Sequence, residues 1–358
     1  MTNLNLKHTV IYAAHINTRH LQCLTRAHID QDTDSSVTAR SRPLIYSDSV
    51  LSAPRTRSSP RLMMTAGDSD DDQLRELTYR KLSVLDYTLD EAELTTQCPL
   101  DNGRHTVQPR HLVGQLDSLP GELLDEILVS LDLQTLTTFR LVNNRAMSLV
   151  DSLHQYVTVL KHCPDVIRAV ISIHAESFSC QTLYDTLSTS RCHTCKSFGA
   201  YLYLITCRRV CYFCFTKHLD YFPVSAAQVN QYTSPERGQL ETLPRVLSLM
   251  GRYTGERKFL RSRIQLYDRN AVLSRASEAE AQALDEATRQ RDLMAKESRR
   301  HVAIISAPWI ISSRRAADWG FYCAVCRDSK EPATHFKEKL TRDDMLHHIR
   351  WHSTRDIA

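Results

Sequence analysis

The sequence predicts a mainly α protein, in which a three-helix unit precedes an irregular α-rich region with small zinc-stapled β elements. Leucines recur at helical spacing between residues 116 and 153, as in short amphipathic helices. Five of the chain's 11 cysteines fall between Cys192 and Cys214, a density typical of a metal site. The first 115 residues include long Ser-, Arg- and Pro-rich stretches without an apolar period, so the N-terminus is predicted to be largely disordered.

Within residues 1–115, an acidic run begins at Asp68, and residues 73–87 favour a short helix. Met63 and Met64, just before the acidic run, are compatible with an internal start. The N-terminus has no clean apolar stretch followed by a small-residue cleavage site, so no secretory signal is expected. No apolar run is long enough to span a membrane. Clustered thiols then favour a reducing compartment, the cytoplasm or the nucleus.

Three short amphipathic helices are predicted in residues 116–160. Leu119, Leu123 and Ile127 recur every four residues, and Pro120 suits the first position of a helix. Asp132 is a good N-cap for the second helix. A unit this small has a marginal core, so it needs a partner or a following domain to pack against.

The first cysteine cluster has the spacing C-x2-C-x15-C-x2-C, formed by Cys192, Cys195, Cys211 and Cys214. Two such pairs can close a tetrahedral four-sulfur zinc site, as in zinc ribbons and treble clefs. The β-prone run YLYLI between the pairs would give the metal loop a dry shell. The alternatives are four buried cysteines without a metal, and replacement of Cys211 by Cys207, which otherwise is a structural cysteine.

A second cluster combines Cys323 and Cys326 with histidines near the C-terminus. His348 and His352 are four residues apart, so they share one face of a helix that begins after Thr341. We expect these four residues to bind a second structural zinc. The 21 residues between Cys326 and His348 exceed the roughly 12 of a DNA-reading finger, so a groove reader is not expected. His347 is expected to point away and His335 is a reserve ligand; surface histidines beside two buried cysteines are the alternative.

The remaining sequence divides into three parts. Residues 161–275 are predicted to form a helical region that contains the cysteine pairs at 192–214 and a basic stretch from Arg252 to Arg275. Residues 276–307 favour a polar, solvated helix because they are rich in Ala, Glu, Gln and Arg. Residues 308–358 are predicted to form a zinc-finger-like module.

The three-helix segment resembles an F-box. The resemblance is carried by Leu119-Pro120, Glu122-Leu123-Leu124, Ile127-Leu128, Leu136 and Arg140-Leu141-Val142. After Val142 the sequence Asn143–Met147 replaces the Cys and Trp that are frequent in the family. The chain from Leu116 onward is also similar to filamentous-fungal F-box proteins, whose C-terminal motif reads here Trp319-Gly320, Cys323, Cys326 and His348-Ile349.

The resemblance implies a non-catalytic substrate receptor of an SCF-type ubiquitin ligase for protein degradation. Such a receptor binds the Skp-type adaptor of a cullin-based ligase, and its C-terminal region binds a target protein. The residues expected to contact the adaptor are Leu119, Pro120, Leu123, Leu124, Ile127, Leu128, Leu136, Arg140 and Val142. The alternative is that these leucines only form the core of the chain.

A second function, a zinc-finger regulator that binds nucleic acid through the fingers and the Arg252–Arg275 stretch, is less favoured. The net charge of +4 is too small to indicate nucleic-acid binding by itself. The sequence contains no P-loop, GxSxG or HExxH motif, and its sulfur-rich clusters leave no open metal position for hydrolysis.

Overall fold

The computed structural model describes residues 66–80, 86–100, 108–233, 240–253, 259–293, 298–328 and 337–355. Within these ranges, the side chains of residues 66–69, 91 and 352–355 are not described. The described chain is mainly α, as predicted, with four small antiparallel sheets.

The described parts of residues 1–115 pack against the rest of the chain, so these parts are exceptions within a region that was predicted to be largely disordered. Helix α1 (Ala66–Leu77) replaces the helix predicted over residues 73–87 and leads directly into strand β1 (Thr78–Tyr79). Leu74 of α1 is buried in a cluster with C-terminal residues, and Leu94 of helix α2 (Leu94–Gln97) is buried in the main core. Residues 1–65 lie outside the described residues.

The predicted three-helix unit consists of α3 (Gly121–Val129), α4 (Leu133–Arg140) and α5 (Asn144–Ser152). The side chain of Asp132 accepts a hydrogen bond of 2.8 Å from the Thr135 N–H, so it caps α4 as expected. Helices α6 (His154–His162), α7 (Pro164–Ser172) and α8 (Cys180–Leu187) follow without a break in the hydrophobic core. The following domain therefore supplies the packing surface that the small unit needs.

The first three residues of the YLYLI run form a strand, as its composition predicts, and Leu204 and Ile205 lie in the turn that follows. Strand β2 (Tyr201–Tyr203) pairs with β3 (Arg208–Val210) as a hairpin, and helix α9 (Tyr212–Lys217) begins directly after it. Every side chain of β2 is buried: β2 is the central strand of its sheet, and the Tyr201 ring packs against Phe215 of α9.

A satellite unit follows. It contains strands β4 (Val224–Ser225), β5 (Arg245–Leu247) and β6 (Gln265–Tyr267), with β6 in the middle, and helices α10 (Ala226–Tyr232), α11 (Arg269–Leu273) and α12 (Glu278–Asp292). Helix α12 corrects the predicted polar helix over 276–307 in two respects. It ends at Asp292, and it is not fully solvated, because Leu284 and Thr288 are completely buried in a narrow stripe.

The C-terminal part of the chain pairs with two earlier strands, β2 and β1. Strand β7 (Ile304–Ser306) pairs with β2 and completes a three-stranded sheet in the order β3-β2-β7. Strands β8 (Trp309–Ile311) and β9 (Ala316–Asp318) form a separate hairpin, and β10 (Tyr322–Cys323) pairs with β1. Helices α13 (Ala324–Asp328) and α14 (Arg342–Arg355) end the described chain.

Candidate functional site

The four cysteines of the first cluster converge in the structure. Cys192 and Cys195 come from the loop before β2, whereas Cys211 and Cys214 lie at the start of α9. Their four sulfur atoms all lie within 4.8 Å of one another, and the Sγ atoms of Cys195 and Cys211 are 3.6 Å apart. A disulfide needs about 2.05 Å, so these sulfurs have the separation of shared ligands and not of a bond.

Local backbone bonds hold each pair in a tight turn. The Lys196 N–H donates to the Cys192 carbonyl at 3.1 Å, and Lys196 adopts a left-handed conformation with a φ of 66°. At the second pair, Cys211 caps α9, and the Cys214 N–H donates to the Cys211 Sγ at 3.4 Å. The short spacing within each pair thus directs both of its sulfurs to the same point.

Proximity of the thiols shifts their pKa values in opposite directions. A hydrogen bond from the Cys211 thiol lowers the pKa of Cys192 to about 4, while the same bond raises the pKa of Cys211. Burial raises the pKa of Cys214 to about 12. Four close thiols cannot all ionise unless a cation compensates their charge, and a bound dication supplies that charge.

Cys207 is not a member of this cluster. It is buried, and its Sγ lies 3.6 Å from the Thr186 Oγ1 of helix α8. Burial raises its pKa to about 12, so it remains a neutral thiol in the helix–sheet interface. This position favours the structural role over replacement of Cys211.

Arg209 of β3 connects the segment of the first cysteine cluster to its surroundings. Its guanidinium is buried and donates to backbone carbonyls, which include Thr186 at 3.1 Å, Pro308 at 2.6 Å and Gly199. A Cβ on Gly199 would lie 2.4 Å from the Arg209 Cγ, so this position requires glycine. Sequence analysis missed this contact, because the carbonyls come from three separate segments.

The second cluster brings together Cys323, Cys326 and His348, with all three ligand atoms within 4.8 Å of one another. The Cys326 Sγ lies 3.1 Å from the His348 Nε2, and the Cys326 N–H donates to the Cys323 Sγ at 3.4 Å. Burial raises the pKa of Cys326 to about 12. The His347 side chain is exposed and does not belong to this group.

The fourth ligand of the second cluster stays a prediction. His352 lies on α14, but its side chain is not described, and His335 lies outside the described residues. Leu346 and Ile349 are buried beside the cluster, together with Leu74 from α1. Both clusters could hold a metal ion, and their sulfur and imidazole donors are the set that thiophilic metals prefer.

The nine residues predicted to contact the adaptor divide into two groups. Pro120 and Leu123 are exposed, and Leu123 is 49% exposed. Leu119, Ile127 and Val142 are half-buried and present part of their surface to solvent.

The other four residues do not offer a contact surface in the described structure. Leu124, Leu128 and Leu136 are buried in the main core, and Arg140 is buried in an ion pair with Asp151 at 2.7 Å. Helical geometry explains the division, because adjacent residues such as Leu123 and Leu124 differ by about 100° around the helix. These four positions are corrected to core residues that support the exposed face.

Two exposed leucines of the same region were missed by sequence analysis. Leu141, at the end of α4, is 62% exposed, and Leu112, before α3, is 72% exposed. They belong to neighbouring segments, since the Asn143 side chain donates to the Leu112 carbonyl at 3.3 Å. The exposure of Leu141 could have been predicted from helical periodicity, because Leu141 lies outside the apolar stripe that Leu133 and Leu136 form on α4.

Several described arginines of the stretch from Arg252 to Arg275 make internal contacts. Arg263 donates to the carbonyls of Ser248 and Ser172, and Arg269 is buried in an ion pair with Asp285. Arg275 donates to the Thr242 Oγ1 at 2.6 Å, while Arg257 and Lys258 lie outside the described residues. Much of this charge therefore serves internal contacts.

Comparison with known families identifies the three-helix unit. The family model of the F-box domain matches residues 116–158. No curated protein and no solved structure gives a significant match to the chain. The match supports an F-box protein with an adaptor role, and F-box proteins are generally non-catalytic. None of the described helices has the length and apolarity needed to cross a membrane.

Proposed function

We propose that this chain is the substrate-recognition subunit of an SCF-type ubiquitin ligase. Its F-box binds a Skp-type adaptor and through it the cullin, while the region after residue 160 binds the target protein. The observation that carries the proposal is the exposed apolar face of an F-box helix, centred on Leu123. The proposed contact residues are Leu119, Pro120, Leu123, Ile127, Leu141 and Val142.

An apolar groove in the partner suits this face. Leu123 and Leu141 are each about half or more exposed, and burial of a leucine side chain contributes about 1.5–3 kcal/mol. The residues behind them are fixed by the main core, so little side-chain or backbone ordering opposes binding.

We further propose that both clusters hold structural zinc. In a tetrahedral site with zinc–sulfur bonds of about 2.3 Å, two sulfurs lie about 3.8 Å apart. The 3.6 Å between the sulfurs of Cys195 and Cys211 is close to this value. At the second cluster, Cys323, Cys326 and His348 would be completed by His352.

The cytoplasm or the nucleus is the proposed location. All ten cysteines of the described residues are free thiols, as expected in a reducing compartment. Nucleic-acid binding is the less favoured function, because the arginines from 263 to 275 are engaged with carbonyls, hydroxyls and carboxylates.

The test is co-purification of a Skp-type adaptor with the full chain carrying Leu123→Asp. Desolvation of an unpaired carboxylate in an apolar groove costs several kcal/mol, so binding should be lost. Leu293→Asp is the matched control, because Leu293 is 86% exposed and lies outside the F-box. Circular dichroism establishes that both variants are folded. A folded Leu123→Asp variant that retains the adaptor contradicts the proposed contact face.

A further inference from the structure

The structure contains a groove of about 700 Å³ that is lined by no residue of the F-box. None of the cysteines and histidines of the two clusters lines it either. It is bounded by α1 and β1 on one side, by the β8–β9 hairpin on the other, and by the start of α14. Its volume is within the range of ordinary ligand sites, roughly 300–1,000 Å³. Three distant parts of the chain thus meet around one opening.

Two of the strands that line the groove, β1 and β9, each have an edge without a partner strand among the described residues. All three residues of β9, Ala316, Ala317 and Asp318, line it, although successive residues of a strand point to opposite faces. The same holds for the consecutive residues Thr78 and Tyr79 of β1. Within the described residues, β9 pairs only with β8, and β1 pairs only with β10, so each has one edge without a partner strand.

The groove has an apolar floor and a cationic rim. Leu74, Trp309, Ile311 and Phe321 contribute apolar surface, and Arg80 stacks on the Phe321 ring at 4.5 Å. This combination suits a segment that buries some side chains and presents others to arginine.

The rim has more available positive than negative charge. Arg75 and Arg314 are exposed and form no ion pair in the part of the chain that the structure describes. Of the lining carboxylates, Asp71 pairs with Arg342 at 2.5 Å, and Asp318 accepts the Gly320 N–H at 2.8 Å.

Asp343 is the remaining lining carboxylate, and it lies at the start of α14. Among the described lining residues, Arg75, Arg80 and Arg314 therefore outnumber the carboxylates that have no internal partner, since Asp343 is the one such carboxylate. Arginine binds carboxylate and phosphate groups through paired N–H donors, so an anionic side chain is the complementary ligand.

We propose that this groove binds an extended peptide segment of the target protein, which adds a strand between β1 and β9 and places acidic side chains on Arg75 and Arg314. The role of the groove as a substrate site rests on the proposed receptor function. The groove adds to that function the chemistry of the substrate segment. The acidic groups are carboxylates or phosphates, which share this recognition chemistry.

The test uses the full zinc-loaded chain without the adaptor and a displayed library of random dodecapeptides. Enriched peptides should carry Asp or Glu beside alternating apolar residues. Their affinity should fall about tenfold for the double variant Arg75→Glu and Arg314→Glu, which loses two surface ion pairs. The control Lys161→Glu with Arg261→Glu changes the net charge equally at exposed positions outside the groove and should bind normally.

Strand addition is tested on the ligand, so folding of the protein is not at risk. Backbone N-methylation of a selected peptide should weaken binding at each of its consecutive central positions, because successive N–H groups of a strand that lies between two others face the two neighbours in turn. Weakening at alternate positions only would show that the peptide pairs with one of the two strands and not with both. Phosphoserine in place of the key Glu distinguishes the two sources of charge, since the tighter form identifies the natural group.

Three results would overturn the proposal: no enriched peptide, enriched peptides that bind both double variants equally, or displacement of the peptide by single-stranded RNA that binds more tightly. These outcomes are separate from the adaptor test. A chain that binds acidic peptides but not the adaptor contradicts the receptor function alone, and the reverse pattern contradicts the groove alone.

Discussion

The substitution Arg209→Met tests whether the buried guanidinium holds the first cysteine cluster to the core. Its three closest acceptors are the carbonyls of Gly199, Pro308 and Thr186, and no carboxylate accepts from it among the described residues. Hydrogen bonds from a charged group contribute about 2 kcal/mol each, so their loss costs about 6 kcal/mol.

Part of this loss is offset, because methionine does not carry a buried charge. Burial lowers the pKa of Arg209 from 12.5 to about 10, which corresponds to about 3 kcal/mol of desolvation. The net expectation is a decrease of about 3 kcal/mol in the free energy of unfolding. This should appear as a decrease of about 1 M in the urea midpoint.

The assay is urea unfolding of the full chain, monitored by circular dichroism with zinc present throughout. Arg208→Met is the matched control: Arg208 is the preceding residue of β3, is only half-buried, and makes no side-chain hydrogen bond within the described residues. It should change the midpoint little. Equal midpoints for the two variants would refute the reasoning, as would an Arg209→Met variant as stable as the natural chain.

Three further predictions concern the metal clusters and one buried carboxyl. Elemental analysis should find two zinc ions per chain. The variant Cys195→Ser should lose one of them, whereas the control Cys207→Ser should keep both. Equal metal content of these two variants would contradict the ligand assignment. His348→Ala should lose the second zinc while His347→Ala retains it, and the reverse result would exchange their roles. Burial raises the pKa of Asp268 above 3.8, so its contribution to stability is complete below that pH and is lost as pH rises through the raised pKa. Asp268→Asn, which can still cap α11, should therefore gain stability relative to the natural chain between about pH 4 and pH 7 in thermal melts, and a pH-independent difference would oppose this.

Much of the F-box and of the metal clusters could be predicted because their signals are local. Leucine periodicity and the Asp132 cap define helices within a few turns, and C-x2-C spacing directs both sulfurs of a pair to one point. The prediction failed where a helix face had two possible roles. Leu123 and Leu124 are equally apolar, and only the tertiary structure shows that Leu124 is buried in the main core while Leu123 is exposed.

The folded segments near the N-terminus could not be predicted because their stabilising contacts are distant in sequence. Residues 66–80 are polar and acidic, so they lack the apolar content of an independent unit. Arg342 pairs with Asp71, and Leu74 is buried beside Met345, so the C-terminal module supplies what the segment lacks. The composition of a segment indicates how much apolar surface the segment can bury by itself. It does not indicate whether another segment provides a surface against which it can pack.

The sequence by itself determined an F-box unit, two cysteine-containing clusters that could hold a metal ion and a mainly α chain, all encoded in local spacings. Only the tertiary structure decided which leucines form the exposed face, how Arg209 joins three segments, and where β1 and β9 leave a groove between them. The physical reason is that burial, carbonyl pairing and open strand edges depend on contacts between segments that are separate in the sequence, as Arg209 and Pro308 or Thr78 and Cys323 are, and no local pattern specifies such contacts.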